Sequence, residues 1–238
     1  MKHSAWQTLM GILLLLIVCV VSWEAGTLAA VENRQADMRE EKPLVVIDAG
    51  HGGFDPGKVG IDGQLEKDIN LSIAEKLKAY LEASDVNVVM TRDTDTGLYQ
   101  SGDSLKKVSD MRRRCEVIDE ANPDLVVSIH QNSYHQEEIN GGQVFYYKTS
   151  QNGKRLAEIL QERFDYVLGE ANRRVAKAND NYYLLLHVKE PIVIVECGFL
   201  SNRKEAKALE SEDYQDQMAW TIHMGVMEYL NTDEKKAK

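Results

Sequence analysis

Hydrophobic and polar positions fall into three regimes along the chain. No charged side chain occurs from 4 to 23, and the apolar centre of that stretch runs from Leu9 to Val21. Residues 31–42 (VENRQADMREEK) are polar and charged without an apolar period, and they read as a stalk. From 43 onward, short apolar runs alternate with segments of helical period. The run after Pro43, over 44–48 and bounded by Gly50, predicts a buried strand. Ile69, Ile73, Leu77, Tyr80 and Leu81 recur at helical spacing and predict a helix over 68–84. The β-branched segment 86–90 predicts a second strand, and the Thr-, Asp-, Gly- and Ser-rich segment 91–104 a loop. A helix carrying Lys106, Lys107 and the basic run 112–114 is expected over 105–122, where Pro123 ends it. Strands over 125–130, 142–147 and 192–197 and helices over 152–168 and 212–230 complete the pattern.

Strands alternating with helices of this length indicate βαβ units. The strands are nearly all apolar, as they are when both sheet faces are covered. The expected fold is therefore α/β: a three-layer αβα domain over 43–231 with a twisted, mainly parallel sheet, followed by a charged tail, 232–238. No internal repeat is visible.

The first thirty residues support two readings. Leu9 to Val21 suits the apolar region of a signal peptide, with Leu28-Ala29-Ala30 as a fair cleavage site. The uncharged stretch 4–23 also suffices for a membrane anchor, with Trp6 and Trp23 at the two interfaces. Lys2 precedes the stretch and Glu24 and Glu32 follow it, so either reading exports the remainder. Val18 before Cys19 does not suit a lipoprotein cleavage box.

The 238 residues carry a net charge of −10, which argues against a general nucleic-acid binder, since that requires a basic face. Three cysteines, Cys19, Cys115 and Cys197, cannot make a disulfide framework. Cys197 is expected to be a buried thiol pointing away from Glu196 if both lie in one strand.

Four segments place a metal-type or acid–base residue at a strand end or helix start: VVIDAGHGG (His51), GQLEKD (Glu66), VVSIHQN (His130) and IVIVECGF (Glu196). The carboxyl ends of strands in open α/β sheets form the ligand crevice. Each residue alone has a bland reading: a satisfied polar histidine, or a glutamate serving the helix dipole. A glutamate after Ile-Val-Ile-Val is harder to dismiss, because an unpaired buried carboxylate is costly. Two histidines and a carboxylate suit Zn²⁺ with a position left for water, and a second glutamate could act as base. The dispersed spacing differs from a compact HExxH helix, so spacing alone leaves the metal site open.

At these residues the chain resembles the zinc-dependent N-acetylmuramoyl-L-alanine amidases, the type-3 cell-wall amidase family. The matching motifs are DAGHGGFDPG (48–57), EKDINL (66–71), SIHQN (128–132) and ECGFLSN (196–202), in family order. The resemblance implies one Zn²⁺ held by His51, Glu66 and His130, with Glu196 as catalytic acid/base. It implies hydrolysis of the amide between N-acetylmuramic acid and L-alanine of the peptidoglycan stem peptide. Lys58 stands where a small residue is usual and Asp119 where Asn is expected. A membrane segment ahead of a bare catalytic domain resembles the sporulation and germination members, which prepare the spore cortex for muramic lactam. That implies a location in the cell wall or the forespore intermembrane space, and leaves room for an accessory protein.

Asn132 is expected to position substrate or to brace His130. Arg114 resembles a family arginine that could orient a carboxylate, although a run such as 112–114 reads more simply as a solvated helix face. Gly50, Gly52 and Gly53 permit a tight turn and close backbone approach. His135 and His187 could reach the site but read as surface or structural residues, and Tyr182 and Tyr183 could line a sugar groove or pack. Alternatives to the amidase are a non-catalytic peptidoglycan- or partner-binding module, a zinc peptidase cutting within the stem peptide, and a nucleotide-binding α/β protein. The last lacks both GxGxxG and the P-loop motif.

Overall fold

The computed structural model describes residues 42–232 and, before them, residues 6, 10, 11 and 18–23, which are helical and exposed. The expected stalk and charged tail, and most of the expected signal or anchor segment, lie outside the described residues. Among the described residues no helix is long and apolar enough to cross a membrane.

The body runs β1 (Leu44–Ala49), α1 (Glu66–Ala83), β2 (Asn87–Met90), α2 (Lys106–Ala121), β3 (Leu125–Asn132), β4 (Gln143–Tyr147), α3 (Gln151–Leu168), β5 (Lys177–Asn179), α4 (Tyr183–His187), β6 (Ile192–Phe199), α5 (Arg203–Leu209) and α6 (Glu212–Asn231). The strands form one sheet in the order β2-β1-β3-β6-β4-β5. β2, β1, β3 and β6 are mutually parallel. β4 runs antiparallel to β6, and β5 follows β4. The reason is the connection: residues 133–142 contain no helix to carry the chain back, so β4 starts at the edge where β3 ends.

Side-chain alternation divides the sheet into two faces. Val45, Ile47, Leu125, Val127, Val193, Val195 and Cys197 bury against α1, α3, α5 and α6, meeting Leu77, Leu160 and Ile222. Val46, Val126, Ile192 and Ile194 bury against α2 and α4, meeting Ile118 and Leu184. Each fully buried leucine or isoleucine contributes about 1.5–3 kcal/mol. On this second face the apolar register gives way toward the strand ends: Asp48 follows Val46, Ser128 and His130 follow Val126, and Glu196 follows Ile194. The polar end of one face is where the site forms.

Three expectations change. β3 and β6 run two residues beyond their apolar cores, because the ladder continues to the Asn132–Phe199 pair past an irregularity. β5 is a polar three-residue edge strand with no hydrophobic signal. α5 is short, but Asn202 caps it by accepting the N–H groups of Lys204 and Glu205, a signal the sequence does carry.

Candidate active site

β1 ends at Ala49 and the chain turns at once. Gly50 donates its N–H to the Ile129 carbonyl (3.1 Å), and His51 takes φ 64°, a left-handed conformation uncommon outside glycine. The turn swings the imidazole over the strand ends. Its Nδ1 lies 3.1 Å from Asp55 Oδ2 and its Nε2 3.3 Å from Glu66 Oε2. Asp55 thereby sets which ring nitrogen faces the cluster.

Glu66 opens α1 and is buried. Its Oε1 lies 2.9 Å from His130 Nδ1 and accepts the Gln131 N–H (3.1 Å). Its Oε2 accepts the Lys58 N–H at 2.7 Å; the backbone makes this bond, so the unusual Lys58 side chain is tolerated. Burial pushes the Glu66 carboxyl up, but its bonds to His130 and His51 outweigh that and hold it well below the ordinary range. One donor atom each from His51, Glu66 and His130 lies within 4.8 Å of the others. Two imidazoles and a carboxylate make the donor set of catalytic zinc sites, so these residues fit the ion.

Glycines let the triad close. A Cβ on Gly57, at φ +69°, would stand 2.5 Å from Glu66 Oε2 and 2.7 Å from His51 Cδ2; one on Gly50 would stand 2.3 Å from His130 Cε1. Both approaches are far inside van der Waals contact.

Glu196 pairs with His130 across adjacent strands and is buried. Its Oε1 accepts the Tyr182 hydroxyl (3.1 Å), and its Oε2 is buried with no hydrogen-bond partner. Burial, reinforced by the Glu66 charge and opposed by His130 and Tyr182, pushes its pKa up to about 7. His51, Glu66, His130 and Glu196 line one cleft of about 300 Å³, whose walls include Tyr182, Tyr183 and Asn132.

Two expectations about the surroundings are corrected. Arg114 is not on a solvated face: it is 1% exposed. Its Nη1 donates to Asp48 Oδ1 (2.6 Å) and the Ala49 carbonyl (2.9 Å), its Nη2 to the His51 carbonyl (2.5 Å), and its Nε to Asp110 Oδ2 (2.7 Å). It faces the sheet because it lies in register with the buried residues Asp110 and Ile118 of α2, while Arg112 is exposed. Asn132 does not brace His130. Its Oδ1 accepts the N–H of Ser133 (2.8 Å), and the residue stands in the cleft wall. His135 and His187 are absent from the cleft; exposed His187 stacks on Tyr183 at 3.9 Å. Cys197 lies on the opposite sheet face from Glu196, as alternation requires.

Sequence reasoning passed over Asp48, Asp55, Asn70 and Arg92. Asp48 accepts from Thr91, Arg114 and Ser128; burial pushes it up, but Arg114 and Ser128 bring it down to about 2. Asn70 joins Glu66 to the Gly50 carbonyl, and Arg92 donates to the Ala49, Gly50 and Lys67 carbonyls. Asp48 and Asp55 lie inside the DAGHGGFDPG motif and were open to notice. Tyr182 could be named, but nothing in the sequence ties it to Glu196.

The family model described as N-acetylmuramoyl-L-alanine amidase matches residues 45–228. The germination-specific N-acetylmuramoyl-L-alanine amidase of Bacillus subtilis is 35% identical over 190 residues, 79% of each chain. N-acetylmuramoyl-L-alanine amidase LytC of the same organism is 35% identical over 86% of this chain, which spans 39% of LytC. Among solved structures, the CwlD amidase of Clostridioides difficile, determined in complex with the GerS lipoprotein, superposes with a TM-score of 0.78 at 40% identity, covering 81% of this chain and all of that one. The chain belongs to the N-acetylmuramoyl-L-alanine amidase family.

Proposed function

We propose that the chain is a zinc-dependent amidase that hydrolyses the bond between the lactyl group of N-acetylmuramic acid and L-alanine in peptidoglycan. His51, Glu66 and His130 hold the ion and Glu196 is the acid/base. The observation that carries this reading is Glu196 Oε2, a buried carboxylate oxygen without a partner, on the strand next to His130 and opening onto the same cleft. Such an oxygen is costly unless chemistry uses it. Zinc held by His51, Glu66 and His130 would supply a Lewis acid in the cleft and make water there more acidic. Glu196 takes a proton from the attacking water and returns it to the leaving amine; a pKa near 7 suits both transfers. Tyr182 steers the carboxylate by holding Oε1, which leaves Oε2 for the proton. Arg114 and Asp55 position His51, and Asn132 meets substrate at the cleft wall.

Residues 43–231 form the catalytic domain in this reading, exported behind a signal or anchor (1–30, with membrane contact through 4–23) and a stalk (31–42). Likeness to a germination-specific relative supports a role in spore cortex maturation, and the CwlD–GerS complex supports an accessory partner. The test is digestion of purified peptidoglycan by the full chain, with metal content measured in parallel. Release of stem peptides beginning at L-alanine, one zinc per chain, and loss of activity but not zinc in Glu196→Gln are the expected results. Cuts within the stem peptide would make it a peptidase, and binding without cleavage a binding module.

A further inference from the structure

A second groove of about 380 Å³ adjoins the cleft, and Asn132 lines both. Its other walls include Tyr134, Phe145, Phe199, Arg174 and Lys177. Strand register ties it to the site. Gln143 of β4 pairs with Glu196, and Phe145, two residues on, pairs with Lys177 of β5. Paired residues share a face and i, i+2 residues share a face, so Glu196, Gln143, Phe145 and Lys177 all point to the cleft side. Two strand spacings of about 4.8 Å and an offset of about 6.8 Å put the Lys177 Cα roughly 12 Å from that of Glu196. An extended peptide advances about 3.3–3.6 Å per residue, so three residues or so cover that distance.

The groove is distinct in charge. No carboxylate lines it, in a chain of net charge −10. The Arg174 guanidinium lies 4.8 Å from the Phe199 ring, and its Nε donates to the Asn140 carbonyl (2.8 Å). Among the described residues neither Arg174 nor Lys177 forms an ion pair. Glu138 and Glu170 flank Arg174 in a neighbouring depression. Half-buried Glu205 feels the Arg174 charge but gives its two oxygens to the Gly141 and Phe199 N–H groups.

We propose that this groove is the stem-peptide subsite and that Arg174 and Lys177 receive the free carboxylates of the peptide's second and third residues. The proposal rests on the amidase reading, which supplies the polarity: the scissile amide at His51, Glu66, His130 and Glu196, the acidic peptide running over β4 toward β5, the uncharged glycan leaving the other way. Arg174 and Lys177 are then specificity residues, not catalytic ones.

The test compares two muramyl tripeptides, one with free carboxylates at residues two and three and one with carboxamides there. The zinc-loaded full chain is expected to prefer the acidic substrate through KM. Arg174→Gln and Lys177→Gln should each lower kcat/KM for it about threefold, and together about tenfold, chiefly through KM and by more than for the amide substrate. Lys177→Glu, at an exposed position that leaves the fold intact, should reverse the preference. Equal ratios in all variants would overturn the subsite. If no form cleaves either substrate, the amidase reading fails separately, and the groove is judged by titrating the free acidic tripeptide. Weaker binding to Lys177→Gln than to wild type then supports it, and unchanged binding overturns it.

Discussion

Replacing Arg114 by methionine removes one side chain but strands four partners. Asp48 and Asp110 lose a cation, and the Ala49 and His51 carbonyls lose a donor. Asp48 is held at about 2 against an ordinary 3.8, a difference equivalent to about 2.5 kcal/mol. Removing one member of a buried ion pair costs about 3–5 kcal/mol, because the other charge stays buried. The expected loss is therefore about 3–5 kcal/mol of a total near 5–15, or roughly 10 °C in Tm. The sign in pH follows from a depressed carboxyl. In the wild type the Asp48 contribution is complete above about pH 4 and is lost as pH falls toward 2; in Arg114→Met that share of acid sensitivity disappears. Urea unfolding followed by circular dichroism measures the loss. Adding Asp48→Asn to Arg114→Met removes a stranded charge, so the double variant should be the more stable of the two. A single variant within 1 kcal/mol of wild type, or a double variant less stable than the single, would refute the argument.

Four further outcomes test the site. Glu196 acts as a base only when ionised, so kcat/KM should fall as pH drops below an apparent pKa at or under about 7, since a bound cation lowers it. The Tyr182 bond favours the ionised form, so Tyr182→Phe should move that limb to higher pH; a limb that stays where it is in the wild type contradicts this. Gly57→Ala drives a Cβ into Glu66 and His51 at an unfavourable φ, and should weaken zinc affinity about 10–100-fold in a competition titration. Asp55→Ala frees the His51 ring and should weaken zinc by a similar factor while leaving Tm in excess zinc within a few degrees.

The sequence showed this architecture because two buried faces leave long apolar runs. β1, β3 and β6 could be read directly, and so could His51, His130 and Glu196 as polar residues at their ends. What stayed hidden depends on geometry that has no period. Arg114 sits in a basic run and is singled out only by its resemblance to a family arginine; its register with Asp110 and Ile118 turns it inward, but that Asp48 is the carboxylate it meets depends on where α2 crosses β1. β5 has three polar residues and is recruited by its pairing with β4. Tyr182 reaches Glu196 from a short helix start, fourteen residues away in the chain. Register could be guessed along a strand but not across strands, so the groove toward Lys177 was invisible.

The three donors come from separate parts of the chain. His51 and Glu66 stand at the two ends of the connection from β1 to α1, and His130 lies on β3, 64 residues beyond Glu66. Their donor atoms come within 4.8 Å of one another only because β1 pairs with β3 and α1 packs on the sheet. An unfolded chain has no such cluster, so an ion that binds it would bind the folded state alone and would raise the free energy of unfolding by an amount set by its concentration. Apparent stability would then be a property of the medium as much as of the sequence.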